Sequence, residues 1–123
     1  MNKISTICII DDDPIFIKLT KLFLQKEKIC ENFLIFNNGQ EAILGLTENE
    51  IPKLILLDIN MPIMNGWEFL EKFITLSNYK ETSIFIVSSS IDHTDIEKAE
   101  KHPKVSGFIN KPIRPNDLLK ILT

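Results

Sequence analysis

A doubly wound α/β fold, with five parallel strands alternating with five helices, follows from two features of this 123-residue sequence. Five short apolar runs, TICII (6–10), FLIF (33–36), KLILL (53–57), SIFIV (83–87) and VSGFI (105–109), mostly lack alternation, as strands covered on both faces do. Between them lie segments with apolar residues at helical spacing. Regular alternation of strand and helix calls for a parallel sheet with right-handed crossovers and helices on both faces. No repeat, linker or low-complexity segment interrupts the pattern, so residues 1–123 read as one domain, long enough to close a core.

Each helix has its own signal. After the first run, Ile15, Leu19, Leu22 and Phe23 recur at i, i+4, i+7 and i+8 and predict the buried stripe of a first helix. That helix starts at Asp13-Pro14, an N-cap followed by a first-turn proline. Asn38-Gly39 and Asn65-Gly66 punctuate the starts of the second and third helices. The third carries Phe69, Leu70, Phe73 and Leu76, with Trp67 and Ile74 widening the stripe. The fourth, around residues 92–101, is polar and has only Ile96 and Ala99 to bury, which predicts a weakly anchored helix. The last carries Leu118, Leu119 and Leu122 behind Pro115.

Composition narrows the function. Hydrophobic residues make up 44% and charged residues 25%, an ordinary globular balance. A net charge of −3 with a pI near 5.4, and no basic cluster, argues against a nucleic-acid partner. No apolar run reaches membrane-span length, and MNKISTICII is too short in its apolar part for a signal peptide. Cys8 in a strand and Cys30 near a loop suit a reduced, cytoplasmic protein better than a disulfide scaffold. His93 and His102 have no cysteine near them in sequence, so zinc is not expected.

In such a fold, ligands bind beyond the carboxyl ends of the strands, near the point where strand order reverses. The first run ends in Asp11, Asp12 and Asp13; the third in Asp58; the fourth in Ser88, Ser89 and Ser90. Asn110, Lys111 and Pro112 follow the fifth. Clustered carboxylates repel one another and raise one another's pKa unless a cation sits among them. With oxygen donors alone, that cation is Mg²⁺, which keeps waters and shares itself with a phosphate. A lysine and a hydroxyl beside it can hold the remaining oxygens of a phosphoryl group. One carboxylate can itself act as the nucleophile and form an acyl phosphate.

The stretches IIDDDP (9–14), LILLDINMPIMNGWEF (54–69), IFIVSSS (84–90) and GFINKPI (107–113) resemble the four signatures of response-regulator receiver domains, in order and along the whole chain. The resemblance implies the flavodoxin-like strand order 2-1-3-4-5. It implies Asp58 as the phosphoacceptor, with Mg²⁺, or Mn²⁺ in its stead, held by Asp11, Asp12, Asp58 and the backbone carbonyl of Asn60. Ser88 is then the switch hydroxyl, Lys111 pairs with the phosphoryl group, Phe108 is the aromatic that responds, and the Lys111–Pro112 bond is cis. The implied protein is a cytoplasmic phosphorelay switch in a two-component system. It is no enzyme beyond its own phosphorylation and dephosphorylation at Asp58. A sensor histidine kinase or histidine phosphotransfer protein supplies the phosphoryl group. A downstream protein reads the face made by the fourth helix, the fifth strand and the fifth helix, and phosphorylation-dependent dimerisation is one form that output can take.

The chain departs from the family in places. Phe108 brings no phenolic hydroxyl, and HPKVSGF (102–108) replaces the glycine-alanine turn often found before the fifth strand. Asn60 and Ser90 flank the path of a hydrolytic water. One rival is a haloacid-dehalogenase-like phosphatase, whose Asp-x-Asp motif Asp11 and Asp13 satisfy. It lacks a further acidic pair after the lysine and leaves Asp58 unexplained. An FMN-binding flavodoxin would need a hydroxyl- and glycine-rich loop after the first strand, which this sequence lacks; a receiver used purely as an unphosphorylated binding module stays open as a third rival, with no member of the acid set missing.

Overall fold

The computed structural model describes residues 4–48, 52–61, 63–76, 81–89 and 92–122; Pro62 and Ser90 lie outside them. Strands β1 (Thr6–Ile10), β2 (Asn32–Phe36), β3 (Leu54–Leu57), β4 (Ser83–Ser88) and β5 (Val105–Asn110) alternate with five helices. These are α1 (Pro14–Lys26), α2 (Gly39–Glu48), α3 (Gly66–Phe73), α4 (His93–Lys101) and α5 (Pro115–Leu122). All strand pairs are parallel, in the order β2-β1-β3-β4-β5. The chain therefore starts inside the sheet, winds to one edge and returns past its start. The crevice that such a reversal opens lies beyond the ends of β1 and β3.

Alternate residues of each strand face opposite layers. Ile7 and Ile9 of β1 join Leu54, Leu56, Phe85 and Val87 against α1 and α5. Cys8 and Ile10 join Ile55, Leu57, Ile84 and Ile86 against α2, α3 and α4. Cys8 and Cys30 are free thiols, each buried in a different one of these two layers. Residue identity fixes the helix starts. Asn65 caps α3 in a capping box with Glu68. Before α2, Asn38 Oδ1 accepts from Glu41 N at 2.9 Å, and the Asn38 side-chain amide donates to Glu41 Oε2 at 3.2 Å, a side-chain pair where α3 has a backbone one. Among the described residues, no helix is long and apolar enough to cross a membrane.

The first helix turns a different face inward from the one its periodicity predicts. Ile15, Leu19 and Leu22 are 69%, 57% and 53% exposed, while Phe16, Ile17, Thr20 and Leu24 are buried. Apolar residues occur on more than one side of PIFIKLTKLFLQK, and the inward stripe includes a threonine. The direction in which the helix leaves its cap decides which stripe meets the sheet. In α5, Leu118 is buried as expected, but Leu119 faces solvent and Ile121 takes the second inward position.

Asp13 accepts from Ile15 N at 3.0 Å and Phe16 N at 3.3 Å, with Pro14 in the first turn. Replacing Asp13 by Ala should lower stability by roughly 1 kcal/mol in urea, the ordinary value of a lost cap. Its Mg²⁺ titration should stay close to that of the parent, and a loss of metal as large as that of Asp12→Ala would contradict this division of labour.

Candidate functional site

Register creates the site. Ile10 pairs with Leu57, so the residue after each strand, Asp11 and Asp58, emerges side by side. Asp58 N donates to Ile10 O at 2.9 Å and extends the ladder to that point. On the other side, Ser88 pairs with Asn110, and Lys111 N donates to Ser88 O at 3.0 Å, which brings Lys111 to the same edge. The Lys111–Pro112 peptide is cis.

Asp11 and Asp58 are only 1% and 5% exposed, whereas Asp12 is open to solvent. Carboxylate oxygens of the three lie within 4.8 Å of one another. Asp11 Oδ1 accepts from Asp13 N at 2.9 Å, and Asp58 Oδ1 accepts from Asn60 N at 3.1 Å. Lys111 Nζ stands 2.8 Å from Asp11 Oδ2 and 3.8 Å from Asp58 Oδ2. The shorter contact is a close ion pair, and Lys111 is the one side chain that Asp11 Oδ2 meets at such a distance among the described residues. Ser88, buried, accepts from Asn60 Nδ2 at 3.3 Å. Phe108 is partly buried and packs with the α2–α4 layer. Asp13 points to the helix and stays out of the acid cluster.

One contact adds a residue that the sequence did not single out, and another joins two that it did. The Lys111 ammonium lies 4.4 Å from the centre of the Phe16 ring, so the first turn of α1 supports the lysine from below. The Asn60 side chain reaches from the β3 side to donate to Ser88 Oγ at 3.3 Å. Phe16 sits three residues after Asp13 on a helix whose start is plain in the sequence, but only the inward turn of α1 reveals it.

Burial pushes the Asp58 carboxyl up to about 6; neighbouring Asp11 and Asp12 push the same way, against the Asn60 N–H and Lys111. Asp11 is also raised, again chiefly by burial, with Lys111 and the Asp13 N–H opposing. Lys111 thus leaves these acids short of positive charge. Three carboxylates with oxygen donors alone, crowded within reach of one ion, fit a hard divalent cation.

Without metal, the fold favours the protonated form of Asp58. Its contribution to stability is present near pH 4 and is lost as pH rises to about 6. Asp58→Asn keeps the shape without the charge. Above pH 7 it should raise the metal-free stability, read from urea unfolding, by an amount on the order of 1–3 kcal/mol, and by little near pH 4. The same gain at both pH values would show that charge is not its source.

Comparison with known proteins agrees with this geometry. Residues 7–123 match the response regulator receiver domain family. The nitrate/nitrite response regulator NarL of Escherichia coli K12 is 36% identical over 118 residues, which are 96% of this chain and 53% of NarL. The chain therefore spans about half the length of that relative. A two-component response regulator from Cytophaga hutchinsonii superimposes with a TM-score of 0.90 at 31% identity, covering 98% of this chain and 95% of that one. For a response regulator receiver protein from Dyadobacter fermentans the values are 0.83 and 32%, over 96% and 94%. The haloacid-dehalogenase alternative is set aside, since it needs Asp13 in the acid cluster and Asp13 caps α1 instead. The chain belongs to the response-regulator receiver domains of two-component signalling.

Proposed function

We propose that this chain, a single receiver over residues 1–123, is a cytoplasmic switch that accepts one phosphoryl group on Asp58. The donor is a histidine kinase or a histidine phosphotransfer protein, and output passes through the surface of α4, β5 and α5 to a protein partner. The observation that carries the reading is the convergence of Asp11, Asp12 and Asp58 within 4.8 Å, with Lys111 beside two of them. A solvated acidic turn would neither bury two of its acids nor face them with a lysine side chain only 11% exposed.

Asp58 Oδ1 is engaged by the Asn60 N–H, which leaves Oδ2, on the Lys111 side, as the attacking atom. Oδ2 forms a bond to phosphorus while the phosphorus–nitrogen bond of the donor phosphohistidine breaks, and the electron pair leaves on the imidazole nitrogen. Mg²⁺, or Mn²⁺, held by Asp11, Asp12, Asp58 and the Asn60 carbonyl, would neutralise the carboxylates and the incoming phosphoryl oxygens. Lys111 then exchanges Asp58 for a phosphoryl oxygen while keeping Asp11. The Ser88 hydroxyl, now an acceptor for Asn60, turns to donate to another oxygen. Phe108 follows Ser88 inward, and the α4–β5–α5 face changes shape. No other substrate is transformed; dephosphorylation returns the switch to rest, and pairing of phosphorylated copies is one route to output.

Acetyl phosphate with Mg²⁺ should add one phosphoryl group by intact mass, labile to hydroxylamine as an acyl phosphate is, and Asp58→Asn should abolish it. Persistence of the group in Asp58→Asn, with loss in Asp11→Asn, would assign the chemistry to the opening aspartates. Lys111→Ala removes a competing cation, so Mg²⁺ binding should stay intact or tighten while the structural response to phosphorylation weakens. Equal NMR shift changes in β4 and α5 of parent and mutant would count against that role for Lys111.

A further inference from the structure

Apolar packing holds α4 only weakly. Of its described residues, Ala99 alone is buried, so little area resists its displacement from the sheet. Polar contacts from α3 supply what packing does not. Trp67 Nε1 donates to Asp95 Oδ1 at 3.2 Å, and the Lys98 ammonium lies 4.8 Å from the centre of the Trp67 ring. Asp95 and Lys98 are three residues apart on α4 and so share a stripe. That stripe grips the indole by its edge and by its face.

Trp67 is also tied to the acid site through the backbone. Its neighbour Gly66 is pressed against the end of β3: a Cβ there would stand 2.6 Å from the Asp58 carbonyl oxygen and 2.7 Å from Ile59 Cα. Gly66 N donates to Ile59 O at 3.1 Å, and the Asn65–Glu68 capping box fixes the start of α3 on the other side. This junction has no slack. A displacement of the Asp58–Ile59 backbone must move the first turn of α3, and Trp67 with it.

We propose that Trp67 is a positioning residue that holds α4 in its resting place and couples it to the backbone at Asp58; the coupling rests on the phosphoacceptor reading above. Phosphorylation of Asp58 shifts the β3–α3 junction, weakens the grip of Trp67 on Asp95 and Lys98, and releases α4 to its partner. This route runs through α3, apart from Ser88 and Phe108 on β4 and β5, and it makes α4 mobility the quantity that the switch controls.

Amide hydrogen exchange tests it in the parent, Trp67→Phe and Asp95→Ala proteins, with and without Mg²⁺ plus beryllofluoride as the phosphoryl mimic. Trp67→Phe keeps most of the apolar contact, and in Asp95→Ala the cap residue Asp92 remains in place. In the parent, beryllofluoride should speed exchange across α4 while β1 and β3 stay protected. In both variants, resting α4 should already exchange roughly fivefold to tenfold faster, the size expected for one hydrogen bond or cation–π contact. The added effect of beryllofluoride should largely vanish. Unchanged α4 exchange in both variants would overturn the proposal. So would an equal loss of protection in β1 and β3, which marks a merely structural role, or a beryllofluoride response of full parental size. If the parent takes no phosphoryl group from acetyl phosphate by intact mass, the switch reading itself fails. The coupling then falls with it, while the resting measurement still decides whether Trp67 holds α4.

Discussion

Two parallel strands held in register deliver two carboxylates to one place, and much of the molecule answers that constraint. Ile10 and Leu57 are partners in the sheet, so Asp11 and Asp58 have no freedom to separate. Burial makes their charges costly, and proximity makes them costlier. Backbone N–H groups of Asp13 and Asn60 take one oxygen of each, and Lys111 stands between the other two. Phe16 supports the lysine, and the β4–β5 pairing brings it there. These compensations are incomplete, since both acids remain raised above the ordinary carboxylate range. A site left short of positive charge is one prepared for a cation, and a cation prepares it for a phosphoryl group.

Most of this was legible in the residues because it depends on order along the chain. Unbroken apolar runs marked the buried strands, and the polar residues directly after each run marked the crevice. The division of the three opening aspartates was legible too, since Asp13 before Pro14 has the local chemistry of a cap whatever the tertiary fold. The inward face of α1 was not legible. Both stripes of that helix carry large apolar residues, and Thr20 makes the true one look the poorer. Spacing measures contrast between faces, and here there is little. The contacts of Asn60 with Ser88 and of Lys111 with Phe16 were also hidden, because they join residues far apart in sequence through rotamers that only packing selects.

The two helical layers differ in how firmly they are held. In the α2–α4 layer, Phe69, Leu70 and Phe73 seat α3 deep against the sheet, whereas α4 offers Ala99 alone among its described residues. A rigid sheet that carries the acids, with one loosely seated helix beside it, concentrates any structural response where it costs least. The two edge strands, β2 and β5, are also less covered than the three between them. The acid cluster and the loosely seated α4 therefore lie in regions of different local stability.

Cys8 lies fully buried in β1, and burial pushes its thiol far above the ordinary range; Cys30, between α1 and β2, is buried and raised as well. Thiolate, not thiol, reacts with alkylating reagents, and both cysteines are buried in the folded chain. The rate of labelling at each cysteine therefore counts excursions from the native state. Cys30 times the opening of the edge where α1 hands over to β2, and Cys8 times the separation of interior strands. With no probe added, the molecule carries two stopwatches, one in each layer of its core, that run only while the structure around them is open.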